Sequence, residues 1–314
     1  MRRVISQYNI STLWLAELCR FLPKSWFWPI SCLVGYYQYY FHKNKRRRVI
    51  DCYRRLVKVL EIDRDPVELA REHYKRQLMC VAANYVYKGM TLQQWTKYAD
   101  VQGAEYFDEA RKLGRGMVLT MLHFGTDLAG WSFFESKNYD LVLMRRVFAK
   151  EFRSERHKHF LGLHTKALFA GEQTGLSNPV RQGIRMLKQD QSVIGIAIDG
   201  IEGKKFTKFP IFNGKYEIEI RPGALEIARL AKAPIGFGFS AIHNGRVVLR
   251  YFPVAVFDGS KPDDEVMQDF LVASLKNFEN AVRTYPESVY WSRPLMDAIG
   301  MVDKDKGKSD DPME

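Results

Sequence analysis

The chain reads as an α/β fold: a central mixed sheet with helices on both faces, preceded by an N-terminal hydrophobic helical region. Three observations predict this. Beyond residue 100, short apolar runs alternate with stretches of helical spacing, the pattern of strand–helix units. Before residue 98, only helical spacing is found. A chain of 314 residues, 46% of them hydrophobic, can also build a core thick enough to cover a sheet on both sides. The expected divisions are a helical region at 1–98, an α/β body at 99–302, and a tail at 303–314. That tail is polar and Pro-ended and should be disordered.

Taken in order, the first apolar patch comprises Leu13, Trp14, Leu15, Leu18, Phe21 and Leu22 and is closed by Pro23. An aromatic segment follows at 26–41, with Trp26, Phe27, Trp28, Tyr36, Tyr37, Tyr39, Tyr40 and Phe41. It is shorter than the ~20 apolar residues a spanning helix needs, and Pro29 and Gly35 interrupt it. Next comes a basic run of His42, Lys43, Lys45, Arg46, Arg47 and Arg48. Tryptophan and tyrosine suit the membrane–water interface, and clustered cations suit an anionic leaflet at ~1 kcal/mol each. This region is therefore expected to lie on a membrane; a buried helical hairpin with a solvated basic end is the alternative. Val49, Cys52, Tyr53, Leu56 and Leu60 recur at helical spacing, and Pro66 opens a further helix carrying Leu69, His73, Leu78 and Tyr85.

In the body, strands are expected at 118–122, 139–144, 192–198, 234–240 and 247–252. Helices are expected at 124–136, 150–163, 178–189, 222–232 and 263–285. Right-handed crossovers should link the parallel strands.

The formal charge of +12 calls for an anionic partner: nucleic acid, membrane or acidic substrate. Basic and aromatic residues cluster in an anchor-like N-terminus and not in a stripe of stacking platforms, which favours membrane over nucleic acid. Cys19, Cys32, Cys52 and Cys80 lack metal or redox spacing and read as reduced thiols of a cytosol-facing protein, with no secretory signal.

The segment at 116–131 carries the chemistry. A buried strand there runs into His123, and a helical pattern (Phe124, Leu128, Trp131) takes over. A histidine at a strand's carboxyl end lies where open α/β sheets form ligand crevices. Asp127, four residues on, is within one helical turn, close enough to orient the imidazole and stabilise its charged form. Such a pair can take a proton from a substrate hydroxyl without a serine or cysteine nucleophile. A hydrogen-bonded structural histidine and a capping aspartate would give the same letters. A second strand runs into Asp199-Gly200, followed by Lys204, Lys205, Phe206, Thr207, Lys208 and Phe209 in a hairpin-like stretch, and Arg221-Pro222 opens a helix. The phenylalanines can line an acyl channel or fill a core. Arg145, Arg146, Lys204, Lys205 and Lys208 can bind phosphate or carry surface charge. No Gly-x-Ser-x-Gly elbow occurs, and His157, His159 and His164 lack the companions a metal needs; neither metal nor cofactor is expected.

These pieces together resemble the lipid A biosynthesis acyltransferases of the lysophospholipid acyltransferase superfamily. The resemblance rests on His123-Phe124-Gly125-Thr126-Asp127-Leu128, Arg145-Arg146, and Asp199-Gly200 with Phe206, Phe209, Pro210 and Phe212. It continues through Ala228-Arg229-Leu230-Ala231, Ala233-Pro234 and the closing Tyr285-Pro286-Glu287-Ser288-Val289-Tyr290-Trp291. It covers about residues 10–296. It implies acyl transfer from acyl carrier protein or coenzyme A to a hydroxyl of a lipid or glycolipid, a lipid A-type precursor or another amphiphile. It also implies residence at the cytoplasmic face of the inner membrane, peripheral or monotopic. His123 would be the general base and Asp127 its partner. Arg145, Arg146, Asp199, Lys204, Lys205, Phe206 and Phe209 would line the substrate site. The chain departs from the family where the acid should follow four intervening residues: Leu128 stands there and Asp127 comes one early, a ~100° shift around a helix. Asp127, Asp199 or Glu202 could then serve the histidine, or the chain could be an impaired, lipid-binding scaffold.

Overall fold

The computed structural model describes residue 15 and residues 18–146, 166–170, 179–190, 192–200, 206–291 and 293–301. The expected helix at 150–163, the tail at 303–314, and His157, His159, His164, Glu202, Lys204 and Lys205 lie outside them.

Helix α1 (Lys24–Phe41) runs unbroken through Pro29 and Gly35, which the sequence suggests as interruptions. Its inner face carries Phe27, Ser31, Gly35 and Tyr39, one every helical turn. That face lies on helix α3 (Pro66–Tyr87), where Ser31 Oγ donates to the Lys75 carbonyl at 2.5 Å. Gly35 is required at the crossing, because a Cβ there would meet the Tyr74 carbonyl oxygen at 2.5 Å. The opposite face leaves Trp26, Leu33, Tyr37, Tyr40 and Phe41 exposed. Helix α2 (Lys43–Leu60) begins on the basic run and buries Val49, Cys52, Tyr53, Leu56 and Leu60, the residues whose spacing predicts it. Pro66 occupies the first turn of α3, and the Asp65 carboxylate accepts from the Val67 N–H. Helix α4 (Leu92–Tyr98) opens on a Thr91–Gln94 capping box. No helix among the described residues is long and apolar enough to cross a membrane.

A seven-stranded mixed sheet follows, in the order β1-β9-β8-β2-β5-β3-β4. Its strands are β1 (Ala99–Gln102), β2 (Met117–Met121), β3 (Leu141–Arg146), β4 (Lys166–Ala170), β5 (Val193–Ala197), β8 (Ile235–His243) and β9 (Arg246–Tyr251). All neighbours run parallel except β8 and β9, joined by a tight turn with Asn244 and Gly245 at positive φ. β6 (Thr207–Ile211) and β7 (Tyr216–Ile220) form a separate antiparallel hairpin, which the Lys204–Gly214 stretch foreshadows. The intervening helices are α5 (Glu105–Arg111), α6 (Asp127–Ser136), α7 (Pro179–Arg185), α8 (Gly223–Ala231), α9 (Asp263–Thr284) and α10 (Arg293–Ala298). Strand alternation splits the core in two. Val118 and Ile194 point into one cluster with α2, α8 and α9, whereas Met117, Leu119 and Val193 point into the other with α3 and α6. Helices from before residue 98 contribute to both clusters, so helices cover both faces of the mixed sheet, as the sequence predicts.

Candidate functional site

β2 and β5 are parallel neighbours, with Met121 level with Ala197. The register sends both chains off the same edge of the sheet two residues later, so His123 and Asp199 emerge side by side. Asp199 Oδ1 lies 2.7 Å from His123 Nδ1. The same carboxylate accepts the His123 backbone N–H at 3.1–3.2 Å through both oxygens. The Asp199 side chain is 2% exposed and that of His123 35%. A buried acceptor at that distance requires the proton on Nδ1, since two acceptors would repel. Nε2 is then the basic nitrogen of the neutral ring.

The turn after His123 is held from three sides. The Gly125 N–H donates to the Ser288 carbonyl at 2.7 Å, and Phe124 bridges antiparallel to Val289. Gly125 has φ +63°, and a Cβ there would lie 1.8 Å from the Ser240 carbonyl oxygen. Ser240 Oγ donates to the Thr126 carbonyl. The Tyr290 ring lies against the imidazole, centroids 5.4 Å apart and 34° between planes. With the N–H groups of His123, Gly125 and Ala129 all engaged, an oxyanion would have to find its donors elsewhere at the start of α6 or among nearby side chains.

The sequence-predicted residues are placed as follows. Asp127 is the first residue of α6, and its side chain lies outside the described set. Among the described side chains, the carboxylate on His123 is Asp199, one of the three candidates; Glu202 lies outside them. Arg145 and Arg146 end β3, which is parallel to β5 and reaches the same sheet edge; their side chains are also outside the described set. Phe209 is buried among Ile211, Ile218 and the α9 side. Phe206 is exposed, with the Arg221 guanidinium 4.7 Å above its ring. Arg221 Nε donates to the Gly200 carbonyl at 3.1 Å and its N–H to the Ile198 carbonyl at 2.9 Å, tying β7 to the Asp199 turn.

Arg221, Tyr290 and Glu287 are the site residues that spacing alone does not reveal. The only signal for them is membership in two motif-like stretches, Arg221-Pro222 and the 285–291 segment. Glu287 is 4% exposed and paired to Arg76 at 3.0 Å. Next to this pair, His73 is buried against Tyr53 Oη at 3.2 Å. Burial, and then the Arg76 charge, push its pKa down from 6.5 to about 4.

No protein-family model matches the chain, and no curated protein matches it. Among solved structures, it is similar to the 1-acyl-sn-glycerophosphate (LPA) acyltransferase PlsC from Thermotoga maritima. The two are 12% identical, with a TM-score of 0.41, over 82% of this chain and 97% of that one.

Proposed function

We propose that the chain is an O-acyltransferase. It moves a fatty acyl group from a thioester donor, acyl carrier protein or coenzyme A, to a hydroxyl of a lipid or glycolipid acceptor at an anionic membrane surface. The observation that carries this reading is the 2.7 Å contact between His123 Nδ1 and the buried Asp199 carboxylate. His123 Nε2 takes the acceptor's hydroxyl proton as the oxygen attacks the thioester carbonyl. The carbon–sulfur bond then breaks, and the imidazolium returns the proton to the departing thiolate. Asp199 fixes the tautomer and balances the charge that appears on the ring.

Arg145, Arg146, Lys204 and Lys205 supply cations for the acceptor's phosphates. The exposed face of α1, with Trp26, Tyr37, Tyr40 and Phe41 beside the basic start of α2, supplies the membrane contact. In this reading the protein works at the cytoplasmic face of the inner membrane, with a lipid A-type precursor among the acceptors to be tried.

The test is acceptor-dependent thiol release from palmitoyl and myristoyl thioesters presented with a panel of hydroxylated lipids in anionic vesicles. Wild-type protein should release thiol, and His123→Ala should be slower by ~10²–10⁴-fold while still binding vesicles. No release by wild-type protein across the panel would instead favour a lipid-binding scaffold.

A further inference from the structure

The helical region before the sheet reaches the candidate site through Arg76. Arg76 on α3 is 4% exposed and makes four separate contacts. Its Nε donates to the Ile242 carbonyl at the end of β8 at 2.7 Å, and Nη1 to the Glu72 carbonyl at 2.6 Å. Nη1 also lies 3.3 Å from the Glu72 carboxylate, and Nη2 donates to Glu287 Oε1 at 3.0 Å. Glu287 sits in the Pro286–Ser288 turn. That turn gives its Ser288 carbonyl to the Gly125 N–H, sets Val289 against Phe124, and leads directly to the Tyr290 ring on His123. Tyr53 Oη holds the turn from below by donating to the Glu287 carbonyl at 3.2 Å.

As a stabilising device the Arg76–Glu287 pair is poor. Both side chains are 5% exposed, and Glu287 Oε2 has no hydrogen-bond partner among the described residues. Burying two charges with incomplete hydrogen bonding costs about as much as their attraction returns. What the pair does supply is position, because it fixes the 286–290 turn relative to β8 and thereby the walls of the 123–125 turn.

We propose that Arg76 and Glu287 are positioning residues for His123, and that the N-terminal helical region is through them a structural part of the reaction centre. The inference rests on the acyl-transfer reading for its kinetic consequence, but its structural consequence can be read separately.

The experiment uses the full chain with the double substitution Arg76→Met and Glu287→Leu, which removes both charges and leaves neither stranded. The double variant should keep the wild-type melting temperature within a few degrees and bind anionic vesicles normally. It should lose on the order of 10–10²-fold in kcat with KM changed less than about threefold, as expected when reacting groups are displaced by a fraction of an ångström to one ångström. In ¹⁵N-histidine spectra, the His123 resonance, assigned by its absence in His123→Ala, should move. Wild-type kcat together with an unmoved His123 resonance would overturn the proposal. If wild-type protein transfers no acyl group but the resonance moves, the positioning stands and the acyl-transfer reading falls. Should the double variant fail to fold, Glu287→Gln, which keeps the shape and one acceptor, takes its place; its kcat should fall about 5–10-fold, and an unchanged kcat with an unmoved resonance would overturn the proposal.

Discussion

Replacing Asp199 with asparagine removes one charge and almost no volume. Asp199 Oδ1 is 2.7 Å from His123 Nδ1, and the carboxylate also accepts the His123 N–H. Asparagine can still accept one of these hydrogen bonds, so the turn should hold, at a stability cost of about 1–2 kcal/mol. The imidazolium formed as the proton is abstracted, however, loses its counter-charge. Two unit charges ~4 Å apart at an effective dielectric constant of ~20 attract by about 4 kcal/mol. Each ~1.4 kcal/mol is tenfold in rate, so the ceiling is roughly 10³-fold. The amide can also turn its NH₂ toward Nδ1, which would place the proton on Nε2 and remove the base outright. The expected outcome for Asp199→Asn is a kcat lower by ~10²–10³-fold with KM within about threefold, read as thiol release at saturating donor. Thermal melting should confirm that the protein is folded. A kcat within threefold of wild type would refute the assignment of Asp199 as the partner of His123.

Gly195→Ala would put a methyl 1.7 Å from the Trp131 ring; it should cost at least ~2 kcal/mol by urea unfolding, and the cost should shrink in a Trp131→Leu background, where the conflict is gone. The buried His73 has its pKa lowered from 6.5 to about 4, so the unfolded chain takes up the proton first. Its contribution is complete above pH 6.5 and is lost as the pH falls toward 4, about 3 kcal/mol in all. His73→Gln should therefore flatten the urea-stability profile between pH 4 and 6.5, and an unchanged slope would count against the buried neutral ring. Joint replacement of Trp26, Tyr37 and Phe41 by serine touches only exposed side chains; binding to anionic vesicles should fall at least tenfold at unchanged melting temperature, and equal binding would remove the α1 face as the membrane contact.

How much of this was legible in the sequence depended on range. β2 and β5 are readable because β2 is buried throughout and β5 over its first three residues, so both form nearly continuous apolar runs. The α2 face was readable from its spacing. β1, with the sequence Ala-Asp-Val-Gln, has no apolar run because it is an edge strand, and β4 begins in a basic stretch at the other edge. His123 was visible as the end of a strand. Asp199 is visible as a second strand-end acid and one of three possible partners, but local pattern does not choose it, because it is 76 residues away and reaches the ring through the parallel β2–β5 register. Asp127 is legible by its closeness in sequence, and its side chain lies outside the described set. The Arg76–Glu287 pair joins residues 211 apart, and nothing in either local pattern announces it. Pro29 and Gly35 suggest interruptions by residue type alone, yet the helix continues through both, and Gly35 serves the crossing with α3.

The central claim is that His123 withdraws a proton from a lipid hydroxyl so that the oxygen can take an acyl group. It is tested most directly by supplying a ¹³C-labelled acyl thioester with mixed hydroxylated lipids and weighing the products of wild-type and His123→Ala protein by mass spectrometry. The account predicts a lipid heavier by one labelled acyl unit with wild-type protein and at least ~10²-fold less of it with the variant. Equal amounts of labelled product from the two proteins would contradict it.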